Sequence, residues 1–155
     1  MNTELNTEFE AVSRMKYNLE VKLPKRSTTG SAGYDFYYND IEDTIIKPKE
    51  IVYVKTGVKV KFDTDIALLL LNRSSNPKKK GLILANGVGL VDSDYYNNED
   101  NEGEIAFAFY NITDNDVIIK NGDKLGQGLF VPYAKLNSEE NPENTRTGGF
   151  GSTGK

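Results

Sequence analysis

The fold class is decided by residues 58–71, Val58-Lys59-Val60-Lys61-Phe62-Asp63-Thr64-Asp65-Ile66-Ala67-Leu68-Leu69-Leu70-Leu71. Apolar residues and lysines alternate in its first part, which is typical of a strand with one buried face. Asp63-Thr64-Asp65 is a turn signal, and the apolar run at 66–71 is typical of a strand covered on both faces. The stretch therefore predicts two consecutive strands joined by a short turn.

Similar patterns on both sides of this stretch predict further strands. They occupy 17–23, 105–109, 117–119 and 129–131. Turn signals separate the apolar runs, among them Asn121-Gly122 and Asn86-Gly87, the latter favouring a tight hairpin. Many short strands interrupted by turns predict an all-β barrel or sandwich, with a short helix as an option at 74–80.

The composition narrows the chemistry. The chain has no histidine and no cysteine, which excludes Ser-His-Asp triads, thiolate nucleophiles and metal sites built on imidazole or thiolate. Catalysis would then rest on carboxylates, hydroxyls, Lys, Arg, Tyr or an oxygen-bound metal such as Mg²⁺ or Ca²⁺. A net charge of −4 argues against a broad nucleic-acid surface. The longest apolar run is too short for a membrane span and no signal peptide is visible, so we expect a cytoplasmic protein.

The 155 residues are expected to form one domain with two polar ends. Residues 1–15 are polar and aperiodic, which predicts a flexible N-terminal extension, with a short packed helix as the alternative. Residues 16–136 form the predicted β core. Residues 137–155 are polar and then glycine-rich, which predicts a mobile linker followed by a C-terminal arm.

Five segments carry residues suited to binding an anion or a flat base. They are 32–35, 73–81, 86–95, 121–127 and 146–155. Taken singly, each has a plainer interpretation as a turn, a solvated lysine cluster, a hairpin or a disordered end. In the last segment, however, glycines let backbone N–H groups approach phosphate, Arg146 offers a planar fork, and Phe150 could stack on a base. Asp92 follows two apolar residues, a partly buried setting for a carboxylate base.

In this order the five segments resemble the five motifs of the trimeric dUTP pyrophosphatase (dUTPase) family. The resemblance runs from Ala32 to Gly154. Its most specific parts are Arg73-Ser74-Ser75, Gly89-Leu90-Val91-Asp92-Ser93-Asp94-Tyr95 and Arg146-Thr147-Gly148-Gly149-Phe150-Gly151-Ser152-Thr153-Gly154. It implies an all-β, jelly-roll-like β-barrel (a β-clip) that forms a homotrimer, with C-terminal arms exchanged between subunits. The implied reaction is hydrolysis of dUTP to dUMP and pyrophosphate with Mg²⁺ as cofactor, which keeps uracil out of DNA and supplies dUMP.

The resemblance also assigns catalytic and phosphate-binding roles. Asp92 is expected to orient and deprotonate the water that attacks the α-phosphorus. Asp35 is expected to support Mg²⁺ through a water, while the substrate phosphates hold most of the metal. The residues expected to contact phosphates or to belong to the arm are Arg73, Ser74, Ser75, Gln127, Arg146, Gly151, Ser152 and Thr153.

The residues expected to bind the nucleoside lie in the middle of the chain, together with one aromatic ring of the arm. Asn86, Gly87 and Val91 belong to the expected uracil-reading hairpin. Tyr95 is expected under the deoxyribose, where it would exclude a 2′-hydroxyl, and Phe150 over the uracil. Uracil presents an N3 donor between two acceptors, so cytosine would leave buried groups unpaired.

The chain departs from the family pattern at two places. Residues 96–102 intervene before Gly103-Glu104 and are interpreted as an acidic surface insertion that stays solvated, contacts a partner or lies near the threefold axis. Gly126 stands where the family usually has alanine.

Two other functions are kept as alternatives. A dCTP deaminase shares the fold and an Arg-Ser-Ser segment, but it uses a catalytic glutamate in the hairpin region, where this chain has Asp92 and Tyr95. A regulatory protein would use dUTP as a switch and bind a partner protein, with the acidic insertion as the candidate surface. In that case, deleting residues 97–102 should leave hydrolysis unchanged and weaken binding of the partner protein.

Overall fold

The structure, a computed structural model, describes residues 6–15, 20–137 and 148–150, and strands dominate them. The strands are β1 (Glu8–Ala11), β2 (Tyr34–Tyr37), β3 (Thr44–Ile46), β4 (Ile51–Lys55), β5 (Val58–Lys61), β6 (Ile66–Asn72), β7 (Leu82–Leu84), β8 (Gly89–Val91), β9 (Ala106–Asn111), β10 (Val117–Ile119) and β11 (Lys124–Pro132). Short helical segments lie at Ser13–Met15, Asn76–Lys80 and Ser93–Tyr95. No helix in these ranges has the length and apolar character needed to cross a membrane.

Within the described residues, all of the strand pairs are antiparallel and belong to four small sheets. The largest sheet has the order β2-β11-β6-β8, and the next has the order β4-β9-β7. Two pairs, β1-β5 and β10-β3, complete the set. The apolar faces enclose one core that contains Phe36, Leu68 and Phe107. The prediction of an all-β chain is therefore confirmed.

The two strands predicted from residues 58–71 are present as β5 and β6. In β5, Val58 and Val60 are buried and Lys61 is exposed, as the alternation requires. β6 is paired on both edges, by β11 and by β8. Its residues Leu68 and Leu70 lie in the core, and on the other face Ala67 is buried and Leu69 is partly buried, so the unbroken apolar run is covered on both sides.

The strand predicted at 17–23 is not found in its described part. Residues 20–23 have no regular strand partner, and 16–19 lie outside the described residues. The backbone N–H of Lys22 donates to the side-chain oxygen of Asn39 at 2.8 Å, and the Asn39 amide donates back to the Lys22 carbonyl at 3.2 Å. A buried side-chain amide thus takes the place of a neighbouring strand.

The flexible extension expected at 1–15 does not hold for residues 8–15. β1 pairs with β5 over its full length, so the segment is part of the barrel. Phe9 packs against the core, and Val12 and Met15 are buried. These apolar residues stand three positions apart and so do not show the alternation of a strand, yet each packs against or within the fold.

Gly126 provides space for the ring of Phe107. A Cβ atom built on Gly126 would lie 2.3 Å from Cε1 of Phe107 and 2.9 Å from the carbonyl oxygen of Leu71. The ring of Phe107 packs edge-on against Phe36, with centroids 5.7 Å apart. The replacement of the usual alanine by glycine therefore accompanies a large aromatic side chain on the facing strand.

We expect Gly126→Ala to destabilise the protein by about 1–3 kcal/mol, because Phe107 must leave its position in a packed core. Thermal unfolding measures this as a lower Tm. Gly30→Ala is the matched control, because a Cβ there meets no atom within 4 Å. Equal Tm values for the two variants would show that the core adapts around Phe107 at no cost.

Candidate active site

A cavity of about 200 Å³ lies beside β8 and the helical turn Ser93–Tyr95. Its apolar wall includes Leu70, Ile105 and Ala108. The predicted site residues that line it are Asn86, Val91, Asp92, Tyr95 and Phe150. Because sites for whole drug-sized ligands span roughly 300–1,000 Å³, this cavity has room for part of a nucleotide.

Asp92 lies at the end of β8, where the chain leaves the sheet. Its backbone is extended, with φ −82° and ψ 155°, and its carbonyl accepts the N–H of Tyr95 at 3.1 Å. This turn places the exposed Asp92 on the cavity and buries Tyr95 behind it. The geometry gives one carboxylate access to both solvent and the cavity.

Three aromatic rings stand together at the cavity. The ring of Phe150 lies with its centroid 6.1 Å from that of Tyr95 and 5.3 Å from that of Tyr53. The Phe150 side chain is 66% exposed, so most of its surface is available to a ligand. The sequence did not identify Tyr53, because an exposed aromatic residue of β4 becomes a site candidate only when the structure shows that this side of β4 lies at the cavity.

The Asn86-Gly87 signal marks a turn, but not the hairpin that the sequence predicts. The Gly87 N–H donates to the Leu84 carbonyl at 3.0 Å, and Gly87 has φ 73°, which favours glycine. The flanking strands belong to different sheets, since β7 pairs with β9 and β8 pairs with β6. The turn therefore crosses between the sheets at the mouth of the cavity.

A second group of predicted site residues lies away from this cavity. It consists of Asp35, Arg73, Ser74, Ser75 and Gln127, none of which lines the cavity. Gln127 pairs with both Asp35 and Leu71, so the group lies towards one end of the neighbouring strands β2, β11 and β6. The remaining predictions, Arg146, Gly151, Ser152 and Thr153, lie outside the described residues.

Hydrogen bonds position this second group. The Gln127 side-chain amide donates to the Asn72 carbonyl at 3.3 Å. A Cβ built on Gly33 would lie 2.6 Å from Oε1 of Gln127, so glycine makes room for that side chain. Asp35 accepts a hydrogen bond from the Ser27 hydroxyl and lies 3.3 Å from Lys124 Nζ.

The register of β6 separates the two groups within one chain. Leu68 pairs with Val91, so Asp92 lies level with Ala67. Arg73 lies six positions after Ala67, which corresponds to about 20 Å of extended strand. Asp92 and Arg73 therefore cannot contact the same phosphate group when both come from one chain.

The insertion at 96–102 is ordered and braces Tyr95, a residue of the cavity wall, so it is not merely a solvated loop. We call residues 96–104 the acidic loop. The Asn101 amide donates to the Tyr95 hydroxyl at 2.8 Å, and that hydroxyl donates to the Glu104 carbonyl at 3.1 Å. Asn98 is buried and its amide donates to the Tyr95 carbonyl at 2.7 Å. Sequence reasoning missed this connection because the contacts depend on the loop's own fold.

The N-terminal segment holds the acidic loop from the other side. Both the N–H and the hydroxyl of Ser13 donate to Glu102 at 3.0 Å. The Arg14 guanidinium forms two hydrogen bonds with the buried Glu104, which also accepts the Gly57 N–H at 2.8 Å. The hydrogen bond to Glu104 raises the pKa of Arg14 above its ordinary value.

Glu102 is charged in this network. Burial by itself would raise the pKa of Glu102, but hydrogen bonds from Lys59 and Ser13 outweigh that effect and lower the pKa below its ordinary value of 4.5. Lys59 Nζ lies 2.7 Å from the Glu102 carboxylate. The stability that this network contributes is thus present above pH 4.5 and is lost as the pH falls below it.

We expect Glu102→Gln to lower the Tm at neutral pH by about 2–4 °C, the shift that corresponds to roughly 1 kcal/mol in a chain of this size. The difference from the original protein should shrink as the pH falls through 4 and below, because Glu102 then becomes protonated. Thermal unfolding from pH 3 to 8 measures it. Glu99→Gln, which changes an exposed carboxylate of the same loop, should leave the Tm difference near zero throughout. A Glu102→Gln effect that persisted unchanged at pH 3 would contradict the assignment.

Comparison with known proteins agrees with this architecture. The sequence profile of the dUTPase family matches residues 19–154. The chain is 46% identical over 147 residues to the deoxyuridine 5'-triphosphate nucleotidohydrolase of Lactococcus lactis, an alignment that covers 94% of this chain and 96% of that one. The crystal structure of dUTPase from Streptococcus mutans has a TM-score of 0.78 at 44% identity and covers 84% of this chain and 98% of its own.

A more distant structure shares the fold alone. It is a mutant dUTPase from phage phi11 of S. aureus, which coordinates a structural Mg(II) ion. Its TM-score is 0.69 at 21% identity, over 88% of this chain and 97% of that one.

The fold and the cavity together define a nucleotide hydrolase built on a jelly-roll-like β-barrel, as the sequence predicts. The chain belongs to the dUTPase family, the dUTP diphosphatases, whose members are typically homotrimers.

Proposed function

We propose that this protein hydrolyses dUTP to dUMP and pyrophosphate, with Asp92 as the general base. The observation that carries the proposal is the position of Asp92 on a cavity whose other walls include Tyr95 and Phe150. A carboxylate within reach of a water can orient it and accept its proton as it attacks phosphorus. The attack breaks the bond between the α-phosphorus and the bridging oxygen, and pyrophosphate leaves.

The cavity is suited to the nucleoside end of the substrate. Asn86, in the turn before β8, supplies a polar side chain to the cavity, while Leu70 and Ile105 supply apolar surface. Gly87, next to Asn86, does not line the cavity. A buried donor or acceptor left unpaired by the wrong base costs about 1–3 kcal/mol, which favours uracil over cytosine. The rings of Tyr95 and Phe150 would contact the sugar and the base.

The phosphate end calls for a second subunit. Arg73 lies about 20 Å along the strand from the level of Asp92, whereas both roles concern the same triphosphate. A homotrimer, in which Arg73, Ser74, Ser75, Gln127 and the C-terminal arm complete a site on another subunit, resolves this distance. The exposed apolar residues Ile51, Tyr53 and Ile83 on the β4-β9-β7 sheet give that assembly a surface to bury.

The carboxylate oxygens that the chain offers are compatible with a Mg²⁺ ion that is held mainly by the substrate phosphates. The described residues contain no cluster of three acidic side chains for a metal cage, and Mg²⁺ commonly binds through one or two carboxylates, several waters and substrate phosphates. Asp35, beside Gln127 in the sheet, is the carboxylate we assign to it. When bound, Mg²⁺ would neutralise charge on the phosphate oxygens.

Purified protein with Mg²⁺ should release pyrophosphate from dUTP and far less from dCTP, dTTP or UTP. Asp92→Asn should lower kcat by about 10²–10⁴-fold, the contribution of a positioned base. Asp114→Asn, the same change on an exposed turn, is the control and should leave kcat unchanged. Ammonia release from dCTP would instead indicate a deaminase, and dUTP binding without pyrophosphate would indicate a sensor.

Mixing two inactive variants tests the shared site. If Asp92 and Arg73 of one site come from different subunits, trimers assembled from equal amounts of Asp92→Asn and Arg73→Ala should regain about one quarter of the activity, because random assembly leaves that share of sites intact. Steady-state kinetics after refolding or co-expression measures the recovery. Activity no higher than that of the separate variants would place both residues in one subunit's site.

Two expectations stay predictions. They are the cytoplasmic location and the regulatory partner protein, for which the contacts of the acidic loop supply no argument of their own.

A further inference from the structure

The acidic loop contacts the C-terminal arm directly. The backbone N–H of Gly149 donates to the Asp100 carboxylate at 2.7 Å, and Gly149 is itself buried. A Cβ built on Gly149 would lie 2.9 Å from the amide nitrogen of Asn101, so the backbone at Gly149 lies close against the loop. Gly149 therefore makes two contacts with the loop, a charge-assisted hydrogen bond to Asp100 and a close backbone approach to Asn101.

The same loop supports the cavity wall. Asn101, which touches Gly149, also donates to the Tyr95 hydroxyl at 2.8 Å. Its side-chain oxygen accepts the N–H of Gly103 at 3.0 Å and the amide of Asn98 at 2.7 Å. The Asn101 side chain is thus fixed in orientation by its neighbours and joins the arm to the cavity.

The shape of the loop is strongly determined. Gly103 has φ 86°, and a Cβ there would lie 2.7 Å from the Tyr95 carbonyl oxygen. Glu102 has φ 64°, a conformation that is uncommon without glycine, and Ser13 and Lys59 hold its carboxylate. The position of Asp100 is therefore fixed by the conformation of the loop before the arm binds.

We propose that Asp100 and Asn101 are positioning residues that seat the C-terminal arm, so that Phe150 closes the nucleoside cavity. Phe150 follows Gly149 directly, and fixing Gly149 places its ring against Tyr53 and Tyr95. Asp100 belongs to the subunit that contributes Tyr95, so the seat serves that cavity whichever subunit supplies the arm. The inference rests on the proposed dUTP hydrolysis and adds to it a residue set for arm closure.

The chain contains no tryptophan, which permits a direct test by fluorescence. In a Phe150→Trp background the indole reports whether the arm is seated. Its emission should move to longer wavelength when Asp100→Ala is added and should stay in place when Glu99→Ala is added. Both measurements are made without nucleotide and again with dUTP in the Asp92→Asn background, where the substrate persists.

Kinetics with Phe150 intact gives the second readout. We expect Asp100→Ala to raise KM for dUTP about tenfold, the value of one charge-assisted hydrogen bond, with a smaller change in kcat. Asp100→Asn keeps an acceptor oxygen and should restore most of the affinity. Asp92→Asn should do the reverse, lowering kcat while leaving the emission of the Phe150→Trp indole unchanged.

A double-mutant cycle separates seating of the arm from support of the loop. Gly149→Ala should raise KM by pushing the arm from Asn101, and adding Asp100→Ala should raise it little further, because both changes unseat the same arm. Effects that multiply would overturn the proposal, as would a lower Tm for Asp100→Ala with unchanged emission and KM. If the original protein does not hydrolyse dUTP, only the proposed function is refuted. The emission comparison without nucleotide still tests whether Asp100 holds the arm in place.

Discussion

The pairing of β6 on both of its edges is the interaction on which the rest of the structure depends. On one edge the register with β8 sets the level at which Asp92 leaves the sheet. On the other edge the register with β11 places Gln127 beside Leu71 and, one strand further, Asp35. A slip of one residue would exchange Leu68 and Leu70 in the core for Leu69 and Leu71, and it would move Leu70 away from Gly89, where a Cβ atom would lie 3.0 Å from the Leu70 Cβ. Close packing of this kind fixes the register. The positions of the site residues therefore follow from core packing.

Much of the fold could be predicted because its signals are local. The alternation at 58–61, the apolar run in β6 and the helical turn at Asn76–Lys80 each depend on residues close in sequence. The failures have long-range causes. Residues 20–23 satisfy their backbone through Asn39, and β1 forms because β5 offers it an edge. Neither partner can be seen in the local pattern.

The candidate site was predictable as a set of residues but not as an arrangement. The motifs identify Asp92 and Arg73, yet only the strand register reveals that the two lie at opposite ends of β6. Tyr53 and Asn101 carry no motif, and they acquire a role because the chain folds them against Phe150 and Tyr95. Composition shows that residues 96–102 are acidic, but it does not show that the amides of Asn98 and Asn101 hold Tyr95 in the cavity wall.

The contacts between Ser13 and Glu102, and between Arg14 and Glu104, make two distant stretches of sequence interdependent. A loop of this length would lose an anchor in a relative that lacks the segment with Ser13, and Ser13 would lose Glu102 in a relative with a short loop. The two stretches therefore depend on each other, and a relative that gains or loses one of them should also gain or lose the other. A graft that transfers the loop into a related scaffold has to carry the N-terminal segment with it.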